Sequence, residues 1–398
     1  MTACSVLRRC LLIPAIVAMT TPSAEAAPQV RLAPLTFAMI EGWSSHPAAG
    51  AAAALRRSCR EMMTEGRGFV REPRFAGTPT DWQAACSAAA HLPEALDDAA
   101  MRRFVEAHFV PFLVEDGARP QGLFTGYYEA LARGSRRRHG PYQVPLYRKP
   151  ADLVGFDGAV EARLGLRYGR YVAGEPRPYF SRAEIEDGAL AGRGLELLFV
   201  DSRIDAFFIH IQGSGRVAMD DGSVVRLAYA AKSGRPYTAI GSVLYEGGAL
   251  SRDNLSMQAL RDWLKGHPAE TPEVLRRNQS FIFFREVSLE DPQLGPPGAQ
   301  HVQLTPRRSL AIDRAFWALG TPVWLDTAVT VPGSPDRPFR MLMVAQDTGT
   351  AIRGAARGDV FFGADGEAAT LAGYMKSPGR MIVLLPKQLA ARLQRQAP

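Results

Sequence analysis

The segment AQDTGTAIRGAARGDVFFG, residues 345–363, places two aspartates in a glycine-rich stretch with strand-like apolar residues beside each of them. Its glycines permit tight turns and close approach of the backbone to a ligand. Asp347 and Asp359 are therefore predicted to lie beside turns at the ends of buried strands. There, burial can tune a carboxyl pKa and the side chain can face a substrate. The alternative is that both are turn residues that accept hydrogen bonds from nearby backbone N–H groups.

Short strands dominate the chain from residue 123 onward, and helices are concentrated before it. Apolar and aromatic runs predict strands at residues 124–129, 143–147, 195–200, 206–211, 280–284, 323–325, 339–345, 360–362 and 381–385. The turn DDGS at 220–223 predicts a hairpin between residues 216–219 and 224–227. Helices are predicted at 51–63, 93–109, 256–265 with Ser256 as the N-cap, 271–277 and 366–374. Many short strands with turn signals favour β-barrels over a βαβ sheet, and the Pro/Gly-rich residues 291–300 predict a linker.

The composition is that of an exported globular protein. The 398 residues suggest two domains with a sizeable core, and 46% hydrophobic with 22% charged residues excludes a disordered chain. Residues 1–26 are predicted to be a secretory signal peptide. Two arginines precede an apolar run over residues 11–19, and AEA at 24–26 is a small-x-small cleavage site. No other stretch of about 18 apolar residues exists, so no transmembrane helix is expected.

Two cysteines lie outside that signal peptide. In an exported protein Cys59 and Cys86 are predicted to form one disulfide, with two free buried thiols as the alternative. The closed loop would stabilise the fold by roughly 3 kcal/mol in the chain-entropy model. Two cysteines are too few for a cysteine-based zinc site, and no His and Asp occur at ligand spacing. Neither a metal nor another cofactor is therefore expected.

The net charge of +7 has two interpretations. It can create a surface that attracts an acidic polymer, or it can be ordinary solubility charge. The basic run RRRH at 136–139 is interpreted as a solvated loop. The chain has no helix-turn-helix, RNP or zinc-finger pattern, so nucleic acid is not expected as a partner.

The motif FTGYYE at residues 124–129 sets aromatic rings around a glycine. Tyrosine rings stack on sugar faces while their hydroxyls form hydrogen bonds, so Tyr127 is a candidate substrate-binding residue. A plain core strand would give the same pattern. Glu129, at the end of the motif, either acts as an acid or faces solvent.

The motif HIQGSGR at residues 210–216 is a polar, glycine-rich turn after an apolar run. Gln212, Ser214 and Arg216 offer donors suited to carbohydrate hydroxyls or to a carboxylate. The motif lacks the third glycine and the helix of a dinucleotide fingerprint, and the Gly-x-Ser-x-Gly spacing of a nucleophile elbow. His210 alternates with core residues and is interpreted as structural. RPYTAIG at 235–241 is a second aromatic turn, which a simple loop explains equally well.

The C-terminal third contains further carboxylates. Asp313 precedes a turn and is interpreted as a structural hydrogen-bond acceptor, and Asp336 in a Pro/Gly-rich loop is interpreted as solvated. Asp326, Asp365 and Glu367 complete the set. Asp347 and Asp359 differ from these carboxylates because they have apolar flanks, which can raise the pKa of a carboxyl group.

Together these motifs resemble the membrane-bound lytic murein transglycosylase A family. The resemblance is carried by FTGYYE, by IQGSGR at 211–216, by GRPY at 234–237 and by the trio Asp313, Asp347 and Asp359, in matching order and spacing from about residue 122 to 385. The first two motifs are specific together. The three-aspartate segment is less so, because it recurs in other cell-wall proteins with double-psi barrels.

The resemblance implies a mainly β fold with N-terminal helices. A double-psi β-barrel domain would be formed by residues 27–124 and 286–398, and residues 125–285 would form a second, inserted β-barrel domain. A groove between the two would hold a glycan strand. The implied location is the periplasm, where the protein is either free or associated with the outer membrane. The implied partners are peptidoglycan glycan strands, bound by a monomer that acts alone or with cell-wall synthesis proteins.

The resemblance also implies a reaction, the non-hydrolytic cleavage of the β-1,4 bond between N-acetylmuramic acid and N-acetylglucosamine. The muramyl O6 is then the nucleophile and leaves a 1,6-anhydro end, so one carboxyl suffices where ordinary glycosidases need two. The family's acid/base falls on Asp359, with Asp347 orienting the site or binding substrate. Two other functions stay open: a hydrolase that uses both aspartates as a pair, and a non-catalytic glycan-binding module.

Overall fold

The computed structural model describes residues 30–117, 121–251, 256–288, 291, 293–364 and 366–396. The predicted signal peptide and Asp365 lie outside them. The N-terminal part contains β1 (Val30–Pro34), α1 (Ala52–Thr64), α2 (Pro79–Ala90), α3 (Asp98–His108) and β2 (Phe109–Asp116). The predicted helix at 51–63 is confirmed as α1. The helix predicted at 93–109 begins later, at the N-cap Asp97, whose carboxylate accepts from the amide of Ala100.

The middle of the chain alternates short strands with short helices. It contains β3 (Gly122–Tyr127), β4 (Ala130–Ser135), β5 (Val144–Tyr147), β6 (Val154–Gly155), α4 (Gly158–Leu164), β7 (Tyr168–Val172), β8 (Glu175–Pro178), α5 (Arg182–Glu184), β9 (Glu196–Val200), α6 (Arg203–Gln212), β10 (Ser214–Met219), β11 (Val224–Lys232), α7 (Ile240–Glu246), α8 (Met257–Gly266), α9 (Thr271–Arg276) and β12 (Ile282–Glu286). The predicted hairpin is confirmed as β10 and β11. Ser256 caps α8 as predicted, accepting from the amide of Ala259.

The strand predicted at 206–211 is wrong, because these residues lie in helix α6. Ser202 caps the helix and Gly213 ends it in the left-handed conformation, with φ of 75°. Phe207 and Phe208 pack against α7 and α8, while Ala206 and Ile209 pack into the barrel core. A helix that is apolar on all sides has no amphipathic period, so its sequence cannot be told from that of a buried strand.

The C-terminal part contains β13 (Ser309–Ile312), β14 (Pro322–Val329), β15 (Arg337–Asp347), β16 (Arg357–Phe361), α10 (Gly366–Tyr374), β17 (Lys376–Pro386) and α11 (Lys387–Gln396). Strands β17, β14, β15, β13, β16 and β3 are hydrogen-bonded in that order, and β3 pairs again with β17. This sheet is therefore a closed six-stranded barrel, to which β2 and then β1 are added along β17.

The second sheet has the order β12-β11-β10-β4-β9-β5. A single parallel bridge between Arg148 and Phe284 joins its two ends, so it forms a nearly closed barrel. The fold is thus mainly β, with two barrels and N-terminal helices, which confirms the predicted fold class. The double-psi crossing itself remains an implication of the resemblance.

The N-terminal helices pack on the outside of the closed barrel. Trp43 and Trp82 lie in one buried cluster with Trp324 of β14. Cys59 of α1 and Cys86 of α2 form a disulfide with a Cα–Cα distance of 4.9 Å, which fixes the two helices side by side. This helical layer packs against the outer face of barrel strands β14, β15 and β17.

Candidate active site

The closed barrel brings together the two aspartates of the segment at 345–363, Asp347 and Asp359. Ala311 of β13 lies opposite Asp347 of β15 on one side and opposite Asp359 of β16 on the other. Asp359 in turn lies opposite Thr125 of β3. Paired residues of neighbouring strands share a face, and strands are about 4.8 Å apart, so the backbones of the two aspartates are separated by roughly 10 Å.

Asp359 is a half-buried carboxyl with one hydroxyl donor. The hydroxyl of Thr125 donates to Oδ1 of Asp359 at 2.5 Å, and Nη2 of Arg357 donates to the same hydroxyl at 2.7 Å. Burial raises the pKa of Asp359 to about 6, while the Thr125 hydrogen bond and the charge of Arg357 oppose the rise and the charge of Asp347 adds to it. A carboxyl with this pKa can hold a proton near neutral pH and release it.

Asp347 has a different environment, because three donors occupy its oxygens. Oδ2 accepts from the hydroxyl of Tyr127 at 2.8 Å, and Oδ1 accepts from the amides of Ala299 and Thr348, each at 2.9 Å. Burial raises the pKa of Asp347, and these three hydrogen bonds oppose the rise. Within the described part of the chain the two aspartates are thus unequal: three donors hold Asp347, and a single hydroxyl donates to Asp359.

Tyr127 is buried and joins the two motifs physically. Burial and the adjacent Asp347 raise the pKa of its hydroxyl well above the ordinary value, so it stays a donor. Its ring lies 5.2 Å from that of Phe361, in a small apolar cluster with Leu304 and Ile352. The Tyr127 ring is thus held by packing in this cluster, and its hydroxyl by the Asp347 carboxylate.

The segment predicted as a linker at 291–300 is part of this site. The amide of Ala299 donates to Asp347, and the amide of Gln300 donates to the carbonyl of Gln346 at 3.0 Å. Gly298 lies so close that a Cβ there would come within 2.6 Å of the Gln346 carbonyl oxygen, so only glycine fits. The linker prediction missed these contacts because they depend on tertiary pairing.

The three donors predicted in the inserted barrel are divided between two places. Oε1 of Gln212 accepts from the amide of Tyr128 at 3.2 Å, next to Tyr127, and Ser214 is buried at the start of β10. Arg216 instead bonds from Nε to Oε2 of Glu129 at 2.6 Å. The structure therefore holds Gln212 against the backbone of the FTGYYE motif and commits Nε of Arg216 to an ion pair with Glu129.

Glu129 is fully buried, so its predicted solvent-facing alternative is wrong. Burial raises its pKa, and the hydrogen bond and charge of Arg216 oppose the rise. Its second oxygen, Oε1, has no hydrogen-bond partner among the described residues. Glu129 is a buried counter-ion that orients Arg216.

The structural interpretations of three other residues are confirmed. Asp313 accepts from the amides of Ala315 and Gly354 at 3.0 and 2.9 Å. Asp336 is exposed. His210 is buried beside Arg182, and burial lowers its pKa well below the ordinary value.

Thr125 and Arg357 are site residues that the sequence analysis missed. Thr125 belongs to a motif that was singled out for its aromatic rings, and its partner Asp359 is 234 residues away. In the described ranges, no three His, Cys, Asp or Glu side chains are grouped as metal ligands. The same part of the chain contains no helix long and apolar enough to cross a membrane.

Comparison with known proteins gives two matching families. The MltA specific insert domain matches residues 123–285, and the 3D domain matches residues 308–385. Membrane-bound lytic murein transglycosylase A of Escherichia coli (strain K12) is 34% identical over 265 residues, which are 66% of this chain and 65% of that protein. The aligned span is thus just under two thirds of this relative's own length.

Solved structures match over a longer span. The membrane-bound lytic murein transglycosylase from Agrobacterium tumefaciens is 31% identical, with a TM-score of 0.81 over 91% of this chain and 99% of that chain. The structure of E. coli MltA with bound chitohexaose is 27% identical, with a TM-score of 0.61 over 91% of this chain and 93% of that one. Motifs, barrels and these similarities agree: the chain belongs to the membrane-bound lytic murein transglycosylase A family.

Proposed function

We propose that this protein is a peptidoglycan lytic transglycosylase that cleaves the β-1,4 bond between N-acetylmuramic acid and N-acetylglucosamine and leaves 1,6-anhydromuramyl ends. The observation that carries the proposal is the inequality of the two aspartates. Asp359 has one hydroxyl donor and a pKa of about 6, whereas three donors hold Asp347. Such a site has one carboxyl suited to proton transfer, and the lytic reaction needs only one.

The proton moves twice in the proposed mechanism, and no water is consumed. Protonated Asp359 donates its proton to the glycosidic oxygen as the C1–O bond breaks. The muramyl O6 then bonds to C1, and the Asp359 carboxylate accepts the O6 proton, which returns the enzyme to its starting state. Thr125 orients the carboxylate between these steps, and Arg357 holds the Thr125 hydroxyl in place.

We assign substrate binding to groups around the two aspartates. Asp347 fixes the hydroxyl of Tyr127, whose ring forms a wall for a sugar. Gln212, Ser214 and the guanidinium nitrogens of Arg216 other than Nε position hydroxyls or a carboxylate. The related E. coli protein binds chitohexaose, a chain of β-1,4-linked N-acetylglucosamine, which supports a glycan strand as the ligand here.

The proposed domain division assigns residues 27–124 and 286–398 to one domain and 125–285 to the other. The first boundary falls inside β3, whose residues up to Tyr127 pair with β16 of the closed barrel. A groove between them would hold the strand. We place the protein in the cell envelope because its relatives are named membrane-bound. Periplasmic location, action as a monomer and contact with cell-wall synthesis proteins belong to the same proposal.

Mass spectrometry of purified peptidoglycan after digestion tests the function. Muropeptides about 18 Da lighter than hydrolysed ones establish the 1,6-anhydro end, because the internal nucleophile replaces one water. Reducing-end products would instead assign a hydrolase that uses both aspartates. Retained binding without any product, unchanged in Asp359→Asn, would assign a glycan-binding module.

A further inference from the structure

Basic side chains from three parts of the chain converge beside the turn that follows Asp347. Lys232, at the end of β11, donates from Nζ to the hydroxyl of Thr350 at 3.4 Å, which links the inserted barrel to this turn. Arg314 donates from Nη2 to the carbonyl of Arg67 at 3.1 Å, which links the closed barrel to the loop after α1. The site and these cations therefore share one surface.

Backbone packing brings the remaining cations to the same place. Gly234 lies so close to Tyr168 that a Cβ would come within 2.7 Å of the Tyr168 carbonyl oxygen, which sets Arg167 beside the end of β11. The amide of Arg74 donates to the carbonyl of Ala315 at 2.9 Å, which brings the loop containing residue 71 next to Arg314. We define the cationic cluster as Arg71, Arg167, Lys232, Arg285, Arg314 and Arg353. Arg285 is included because it and Arg314 act on the same side chain: burial and then the charges of Arg67, Arg285 and Arg314 lower the pKa of His301.

The members of the cationic cluster act on one another electrostatically. Burial and then the charges of Arg353, Arg167 and Arg71 lower the pKa of Lys232. Burial and the charges of Arg71 and Arg167 likewise lower the pKa of Arg314, although Glu61 opposes this. Like charges held this close create a local positive potential that an anion would relieve.

The protein itself supplies little compensating charge. Among the described residues only Arg353 of the cationic cluster has a carboxylate within ion-pair distance, Asp313 at 3.9 Å, and that carboxylate already accepts from two amides. Glu61 is paired with Arg67, outside the cationic cluster. Nε of Arg314 is buried without a partner in the described part of the chain. The cationic cluster is thus open to an external anion.

We infer that the cationic cluster binds carboxylates on the peptide stems of the glycan strand, so that the enzyme prefers stem-bearing strands over stem-free ones. The inference rests on the proposed function. The N-acetylglucosamine units of a strand carry no charge, and the stems attached to muramic acid end in carboxylates. The contact of Lys232 with Thr350, three residues from Asp347, favours the strand over a distant acidic surface as the source of these carboxylates.

The test uses the double variant Arg71→Gln/Arg167→Gln, which removes two exposed charges of the cationic cluster. Its matched control is Arg103→Gln/Arg163→Gln, which removes two exposed charges from helices α3 and α4. The ratio of kcat/KM on stem-bearing strands to that on amidase-stripped strands is measured for each. The cluster variant is expected to lower the ratio about fivefold, and the control to leave it at the wild-type value.

A binding measurement separates charge from peptide contacts. In the Asp359→Asn background, stem-bearing strands are expected to bind less tightly after their carboxylates are converted to amides, and less tightly as salt concentration rises. Removing Arg71 and Arg167 is expected to abolish most of that difference. Thermal melts of both double variants confirm that each is folded, and Arg285→Gln is a further variant that removes one charge of the cationic cluster.

The outcomes separate this inference from the proposed function. Wild-type protein that releases no anhydro product from either substrate refutes the proposed function. Wild-type turnover with an unchanged ratio in the cluster variant and in Arg285→Gln overturns the inference alone. An unchanged ratio together with a loss of binding to anionic phospholipid vesicles in the cluster variant would also overturn it, and would assign the cationic cluster to a membrane surface.

Discussion

Replacing Asp359 with asparagine is expected to stabilise the fold at neutral pH while it removes activity. The Asp359 carboxyl has a pKa of about 6 in the folded protein against 3.8 in the unfolded chain. Ionisation of this side chain is therefore less favourable in the fold, and the charged form destabilises the native state. Asparagine is nearly isosteric and stays neutral at every pH, so it avoids this destabilisation.

The sign and size follow from proton linkage. Below pH 3.8 both states hold the proton and the variant gains nothing. As pH rises, the unfolded chain ionises first and the wild type loses stability until the folded pKa is passed. A shift from 3.8 to about 6 amounts to about 3 kcal/mol above pH 7, and to about 1 kcal/mol at pH 4.5. The variant's advantage should therefore grow by about 2 kcal/mol between pH 4.5 and 7.5.

Urea unfolding of both proteins across that pH range measures the difference. Asp336→Asn is the matched control, because it removes an exposed carboxylate by the same substitution. Turnover of Asp359→Asn should fall by about 10²- to 10⁴-fold, the usual contribution of a general acid. A variant that is less stable than wild type at pH 7.5, or whose advantage does not vary with pH, would refute the reasoning about burial.

Three further perturbations probe the same structure. Thr125→Val removes the hydroxyl that stabilises the Asp359 carboxylate, so the pKa rises and the alkaline limb of the pH–rate profile, expected near pH 6 in the wild type, moves to higher pH. Tyr127→Phe leaves a buried carboxylate oxygen without its donor and should lower the free energy of unfolding by about 1–3 kcal/mol in urea titrations. Reducing the Cys59–Cys86 disulfide, or replacing both cysteines with serine, should lower it by roughly 3 kcal/mol.

Each of these has its own control and contradicting outcome. Thr370→Val removes an exposed hydroxyl that bonds only to its own helix, and its pH profile should match the wild type. An alkaline limb that moves to lower pH in Thr125→Val would contradict the assigned direction of the hydrogen bond. Tyr171→Phe, at an exposed ring, should leave stability unchanged. Equal stability of the oxidised and reduced proteins would show that α1 and α2 are held by packing alone.

The sequence by itself determined the local features of this protein. The hairpin of β10 and β11 follows from DDGS, because that turn chemistry depends on adjacent residues only. Helix α8 follows from its cap at Ser256 for the same reason. Helix α2 was missed although Thr78 and Asp81 form a capping box and Pro79 occupies the first turn, signals that could have been read. The motif FTGYYE and the two aspartates identified the family before any contact was known.

Tertiary structure decided what each site residue does. The apolar run at 206–209 could not by itself tell that α6 is a helix, because its side chains are buried in two different clusters. Nor could the residue pattern alone separate the two aspartates, which have similar flanks; the assignment of the acid/base to Asp359 came only from the family resemblance. Their difference comes from residues far from them in the chain. Thr125 and Tyr127 reach them only when β3 closes the barrel, and Ala299 reaches Asp347 through the segment at 291–300 that packs against β15. A carboxyl pKa depends on burial and on donors in space, and neither is written in neighbouring residues.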